Sequence, residues 1–302
     1  MTPPIADLHR HLDGSLRPST LHALAEALAI PVPDDLLFFP GMGLAAALDR
    51  FRLTLSLLQT PEAVRRVAAE LCEDAAADGV TTLEVRFAPH LHLGAAPEAI
   101  VDAALDGLDH RAGLLLCGLY GDPPERLDHL VELARTRPGV VGIDLAGGPA
   151  PTHRFGLADY AGPFTRARDL GLGRTVHAAE GRDAEEIRLA IQLLHAQRIG
   201  HGTTLLDRPD VLDLVLERQV TLEACPTSNW QVGVIPAVRQ HPLPRWLAAG
   251  VRACVNTDNT LLSNITARQE QECARHLDGM TDDLWRRAIQ HGHDAAFSRR
   301  RT

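Results

Sequence analysis

The stretch Asp7-Leu-His-Arg-His-Leu-Asp-Gly-Ser15 carries two histidines two residues apart and an aspartate just after them. In an extended chain, side chains at that spacing point the same way. His9 and His11 therefore present a pair of imidazoles, with Asp13 on the turn beyond. Neutral imidazole is a good ligand for zinc and its neighbours, but an H-x-H pair alone is a weak signal and needs partners. Three other segments supply them: Val176-His-Ala-Ala-Glu180, Gly200-His201-Gly202 and Asn256-Thr-Asp258-Asn259. Each sets a histidine or an aspartate at the end of a short apolar run. His9, His11, His177 and Asp258 together make a complete nitrogen/oxygen donor set for one zinc or similar divalent ion. Such an ion lowers the pKa of its water towards neutrality, giving a metal-bound hydroxide. His201 is then a candidate to hold and deprotonate that water, and Glu180 to carry a proton to the substrate. Each also has a plainer role open to it. Glu180 could cap a helix starting near Arg182, and His201 could be a packed core histidine.

The elements that must position these groups follow from apolar periodicity. Short β-branched or apolar runs begin near Ile5, Thr82, Leu114, Val140, Arg174, Arg198, Val220 and Arg252. Amphipathic helical stretches separate them, several with proline at the first position, such as Pro61 behind a capping Thr60. Eight strand candidates alternating with helices predict an α/β chain folded as a single (β/α)8 TIM-type barrel with additional helices, one domain over 1–302. The runs are nearly continuous in apolar character, as parallel strands covered on both faces require. A doubly wound sheet is the rival, but no G-x-G-x-x-G opens a helix. In a barrel, chemistry sits at the C-terminal strand ends, which is where the apolar pattern leaves His9, His177, His201 and Asp258.

Composition narrows the chemistry further. The 302 residues hold 45% hydrophobic and 23% charged residues and carry a formal charge of −9, a balance that suits a globular protein and disfavours a nucleic-acid surface. No apolar run reaches membrane-spanning length, and Met1-Thr-Pro-Pro does not resemble a signal peptide. The five cysteines form no C-x-x-C pair, so free thiols and a cytoplasmic location are expected. All 30 basic residues are arginine. The missing lysine excludes Schiff-base aldolase chemistry, pyridoxal phosphate attachment, a P-loop lysine and a two-metal centre bridged by a modified lysine.

Taken in order, the motifs His-Arg-His-Leu-Asp-Gly (9–14), Glu84-Val-Arg-Phe-Ala-Pro-His90, Asp144-Leu-Ala-Gly147, His177-Ala-Ala-Glu180, Arg198-Ile-Gly-His-Gly202, Cys225-Pro-Thr-Ser-Asn229 and Asn256-Thr-Asp258 resemble those of the adenosine deaminase family within the amidohydrolase superfamily. The likeness runs from His9 to about residue 275. It implies a mononuclear zinc barrel, one zinc per chain, that replaces the 6-amino group of an adenine nucleoside with oxygen and releases ammonia. It also implies that Glu180 protonates purine N1, His201 orients and activates the zinc-bound hydroxide, Gly147 offers its backbone to N3, and Asp13 holds the ribose 5′-hydroxyl. Gly147 as a plain turn glycine and Asp13 as a turn-stabilising residue are the competing structural roles. The partner is then a small purine nucleoside, with neither nucleic acid nor membrane involved.

Position 259 is asparagine where the best-known members carry an aspartate that bonds N7. An amide donates at any pH, so Asn259 suits that role. Ala179 stands where the family has glycine, and the chain is short between His92 and Leu114. An Asp13 ionised at neutral pH would accept from a free 5′-hydroxyl and repel a phosphate. The alternatives are a deaminase of a 5′-modified adenosine such as aminodeoxyfutalosine, a deaminase of free adenine, and a non-catalytic binding protein on the same barrel. A cytidine-deaminase-type centre is excluded, because H-x-E with P-C-x-x-C is lacking.

Overall fold

The computed structural model describes residues 3–297. Eight parallel strands lie side by side in sequence order: β1 Ile5–His11, β2 Val80–Phe87, β3 Gly113–Leu119, β4 Val140–Ala146, β5 Gly173–Ala178, β6 Arg198–His201, β7 Thr221–Ala224 and β8 Arg252–Val255. The helices around them are α1 Pro18–Ala27, α2 Leu44–Leu57, α3 Pro61–Asp78, α4 Pro97–Leu108, α5 Pro124–Arg135, α6 Ala161–Asp169, α7 Glu185–Leu193, α8 Pro209–Arg218, α9 Pro226–Val232, α10 Leu243–Ala248, α11 Ala267–Arg275 and α12 Asp282–Ala295. The architecture is the expected α/β TIM-type barrel, nearly closed.

Local chemistry sets the helix ends. Pro18, Pro61, Pro97, Pro124, Pro209 and Pro226 each occupy the first helical position, where a missing N–H is harmless and a fixed φ is preorganised. The Thr60 hydroxyl accepts from Ala63 N at the start of α3. Gly79, with φ +89°, ends the same helix in the left-handed conformation and delivers the chain directly into β2. Thr266 and Gln269 form a capping box at the start of α11. Among the described residues no helix is long and apolar enough to cross a membrane.

The barrel closes between β1 and β8 through the site residues themselves. His11 N donates to Asp258 O at 2.8 Å, and Asp258 N donates to His9 O at 2.8 Å. Lower down the seam, Leu8 N donates to the Asn256 side chain at 2.8 Å. Thr257 donates from its N and its hydroxyl to Asp7. Side chains thus substitute for ladder bonds just where β8 ends.

The structure departs from the sequence reading in a few places. β1 continues to His11 instead of stopping at His9, because the Asp258 backbone pairs with its end. A short helix, α9, precedes α10 in the stretch between β7 and β8. The interior of the barrel is also not an aliphatic stack. Glu84, Arg86, Asp144, Arg198 and Glu223, all essentially inaccessible, form a buried ion network directly beneath the strand ends.

Candidate active site

The network fixes the histidines from below. His9 Nδ1 lies 2.7 Å from Glu223 Oε2, and His177 Nδ1 lies 3.2 Å from Asp144 Oδ1. Each carboxylate takes the N–H of its imidazole, so the lone pair is on Nε2 and faces the barrel mouth. Arg86 ties the two carboxylates together, donating to Asp144 Oδ2 at 2.9 Å and to Glu223 Oε2 at 2.9 Å. Arg198 Nε meets Glu223 Oε1 at 2.6 Å, and its Nη1 meets Glu84 Oε2 at 2.7 Å. Burial, with Arg86 beside it, pulls the His9 pKa far down, and burial does the same to His11. Burial also depresses His177, but the Asp144 carboxylate outweighs it and raises the group.

The freed nitrogens converge. His11 Nε2 is 3.2 Å from His177 Nε2 and 3.4 Å from Asp258 Oδ1, and His9 Nε2 is 3.6 Å from the same oxygen. Four ligands at zinc–nitrogen or zinc–oxygen distances of about 2.0–2.1 Å in a tetrahedron are about 3.3–3.4 Å apart, so the donor set fits a single ion of that size. His9 Nε2 is buried with no hydrogen-bond partner among the described residues, as expected of an atom kept for a metal. Asp258 is aimed by Ser228, whose hydroxyl donates to Oδ2 at 2.6 Å and leaves Oδ1 to the imidazoles. His201 and Cys225 also come within metal-binding range of this group. However, His201 Nδ1 is engaged by Asn229 at 3.0 Å, and burial raises the Cys225 thiol well above its usual value, which keeps it protonated.

Backbone conformation is strained where it matters. His201 has φ +67° and Asp258 φ +61°, left-handed positions that non-glycine residues adopt at a cost and that cluster at functional sites. Ala179, at φ +54°, shares the strain, which a glycine would relieve. Gly200 is required by contact, since a Cβ on it would lie 2.8 Å from His9 Cε1.

A cavity of about 370 Å³ opens above the metal ligands. His11, His177, His201, Asp258, Glu180, Asp13, Gly147 and Asn259 all line it, while Phe38, Leu44, Phe51 and Leu91 form much of its apolar wall. Every residue that the sequence singled out is therefore in or directly under one cavity, with His9 beneath the floor. Glu180 caps no helix. It lies 3.6 Å from His201 Nδ1, accepts from Asn229 Nδ2 at 3.2 Å, and burial raises its carboxyl pKa. Burial pulls His201 down to about 3, so the imidazole is neutral. Gly147 has φ +78° and open space where a side chain would stand. The Asn259 amide lies against Gly14, whose Cβ would meet Asn259 Oδ1 at 2.0 Å. Asp13 differs from the sequence reading, because burial lifts its pKa to about 7, so it is not fully ionised at neutral pH.

Sequence reasoning gave no role to Arg86, Asp144, Glu223, Ser228, Asn229 or His241. Arg86, Asp144, Ser228 and Asn229 stand inside quoted motifs, and Glu223, on β7, sits two residues before Cys225. Charge within otherwise apolar strands was the available signal.

A family model described as adenosine deaminase matches residues 4–301. The adenosine deaminase of Enterococcus faecalis is 37% identical over 88% of this chain and 84% of its own. Among solved structures, the adenine deaminase from Arthrobacter aurescens superposes with a TM-score of 0.88 at 26% identity, over 98% of this chain and 94% of that one. The N6-methyl-AMP deaminase from Arabidopsis thaliana gives a TM-score of 0.84 at 25% identity, over 97% and 92%. With its barrel, its converging imidazoles and these likenesses, the chain belongs to the adenosine deaminase family.

Proposed function

We propose that residues 1–302 work as one unit, a zinc-dependent deaminase that converts adenosine and water to inosine and ammonia in the cytoplasm. One observation carries the reading: a converging His/Asp donor set and an acid/imidazole pair, Glu180 and His201, meet at the floor of a cavity whose walls hold Asp13, Gly147 and Asn259. His9, His11, His177 and Asp258 would hold the ion, which would lower the pKa of water towards neutrality. Glu180, whose carboxyl burial shifts towards the protonated form, hands a proton to purine N1, which makes C6 electrophilic. His201 holds the attacking water by a hydrogen bond. The Asn259 amide donates to N7, the Gly147 N–H to N3, and Asp13 meets the ribose 5′-hydroxyl. The thiols of all five cysteines are free, in keeping with a reducing compartment.

The wall also argues about substrate class. No arginine is among the described residues lining the cavity and the chain has no lysine, so a 5′-phosphate would find Asp13 and no guanidinium or ammonium group in the lining. Nucleosides are favoured over nucleotides on that ground, and Asp13 favours a nucleoside over free adenine. The test is a deamination screen over adenosine, adenine, adenosine monophosphate and 5′-substituted adenosines. A clear preference for any but adenosine overturns the substrate while leaving the reaction class.

A further inference from the structure

Asn229 touches both members of the acid/base pair and has no place in the scheme above. Its Nδ2 is 3.2 Å from Glu180 Oε1 and 3.0 Å from His201 Nδ1. On the other side, its Oδ1 is 3.2 Å from His241 Nε2. The direction of each bond can be worked out from the far end. Leu243 N, which can only donate, reaches His241 Nδ1 at 3.1 Å. Burial pulls His241 down to about 3, so the ring is neutral. With Nδ1 accepting, its one proton is on Nε2 and is donated to Asn229 Oδ1. The amide is therefore turned with its two N–H bonds towards Glu180 and His201, the orientation an accepting Oε1 at Glu180 also demands.

We infer that Asn229 is a positioning residue that sets the polarity of the acid/base pair: it donates one N–H to Glu180 and the other to His201 Nδ1, so that His201 bears its proton on Nε2 and meets the cavity as a hydrogen-bond donor. In the resting enzyme His201 then grips the attacking oxygen by donating to it. The sequence reading had His201 as the group that deprotonates water, and that lone pair is spoken for. The helix presenting Asn229 is held firmly. Thr227, two residues earlier on α9, donates from its N to Glu270 Oε1 at 2.8 Å and from its hydroxyl to Glu270 Oε2 at 2.5 Å. Ser228 between them aims Asp258, so α9 sets a metal ligand, the acid and the imidazole together.

The inference deepens the deaminase reading and rests on it for its kinetic consequences, but the tautomer can be read without substrate. Metal-loaded protein with 15N-labelled histidine, assigned against His201→Asn, should show His201 in the Nε2–H form by long-range proton–nitrogen correlation. Asn229→Asp, which can only accept once ionised, should move it to the Nδ1–H form. A wild-type Nδ1–H form, or no change in the Asp variant, overturns the inference whether or not adenosine is the substrate. In kinetics, Asn229→Ala should lower kcat about 10–100-fold with KM within about 3-fold and metal content unchanged, the scale of leaving buried hydrogen-bond partners unsatisfied. His241→Gln, whose amide can still donate to Oδ1, should keep most of kcat, whereas His241→Phe should fall to the level of Asn229→Ala. Equal loss in the two position-241 variants would mean packing alone and would sink the inference.

Discussion

The same conservative substitution at two buried glutamates should have opposite effects on stability. Glu270, on α11, meets one obligate donor, Thr227 N, and one hydroxyl that can donate or accept. Burial raises its pKa from 4.5 to about 7. A carboxyl whose folded pKa is raised has its full stability below the unfolded pKa and loses it as pH rises through the folded one. At about 1.36 kcal/mol per pKa unit, the ionised form at pH 8 costs about 3 kcal/mol. Glu270→Gln removes that penalty. Its carbonyl accepts from Thr227 N and its amide donates to the hydroxyl, so the variant should be stabilised by about 1–3 kcal/mol at pH 8 and should match wild type at pH 4.5. Glu223 is the reverse case. Its Oε2 faces donors from His9 and Arg86, and its Oε1 faces donors from Thr175 and Arg198. A glutamine there must point its NH2 at an obligate arginine donor whichever way it turns, and it leaves two buried guanidinium groups undercompensated. Removing one partner of a buried ion pair costs about 3–5 kcal/mol, so Glu223→Gln should lose that much at either pH. Urea unfolding of both variants and wild type at pH 4.5 and pH 8 measures the differences. A Glu270→Gln variant no more stable than wild type at pH 8, or a neutral Glu223→Gln, would refute the reasoning.

Three further outcomes are expected. Glu180→Gln should retain metal and substrate binding and lose roughly 10²–10⁴-fold in kcat, the usual worth of a positioned proton donor; loss of metal with unchanged turnover per metal would make Glu180 structural. At pH 8, above the Asp13 pKa of about 7, wild type should prefer adenosine to 5′-deoxyadenosine by about 10–150-fold in kcat/KM, from a hydrogen bond to a carboxylate worth about 1.5–3 kcal/mol, and Asp13→Ala should narrow that gap; an unchanged gap removes Asp13 from the 5′ subsite. Asn259→Ala should lower kcat/KM for adenosine about 2–10-fold, the scale of one neutral hydrogen bond, but leave 7-deazaadenosine unaffected, since that analogue has no N7 acceptor.

The barrel was legible because its strands are short apolar runs between helices that open on proline, and because His9, His177 and His201 interrupt those runs at their ends. The ion network beneath was not. Glu84-Val-Arg86 and Glu223 are isolated charges within runs that read as mostly apolar, and only closure of the sheet brings their side chains together inside the barrel. α9 escaped because its seven residues, Pro226–Val232, are too few to show a helical period. The Asn229–His241 contact spans the break between α9 and α10, beyond the reach of any spacing rule. The protonation of Asp13 depends on how deeply it is buried, which the fold sets and its neighbours in sequence do not.

The central claim is that one metal ion, held by His9, His11, His177 and Asp258, is needed to deaminate adenosine. The direct measurement is to strip the purified protein of metal, titrate zinc back, and follow inosine formation from adenosine at each step. Activity should be absent at the start, rise linearly and saturate at about one zinc per chain, with His177→Ala flat throughout. Full activity in the stripped protein, or a break at two zinc ions per chain, would contradict it.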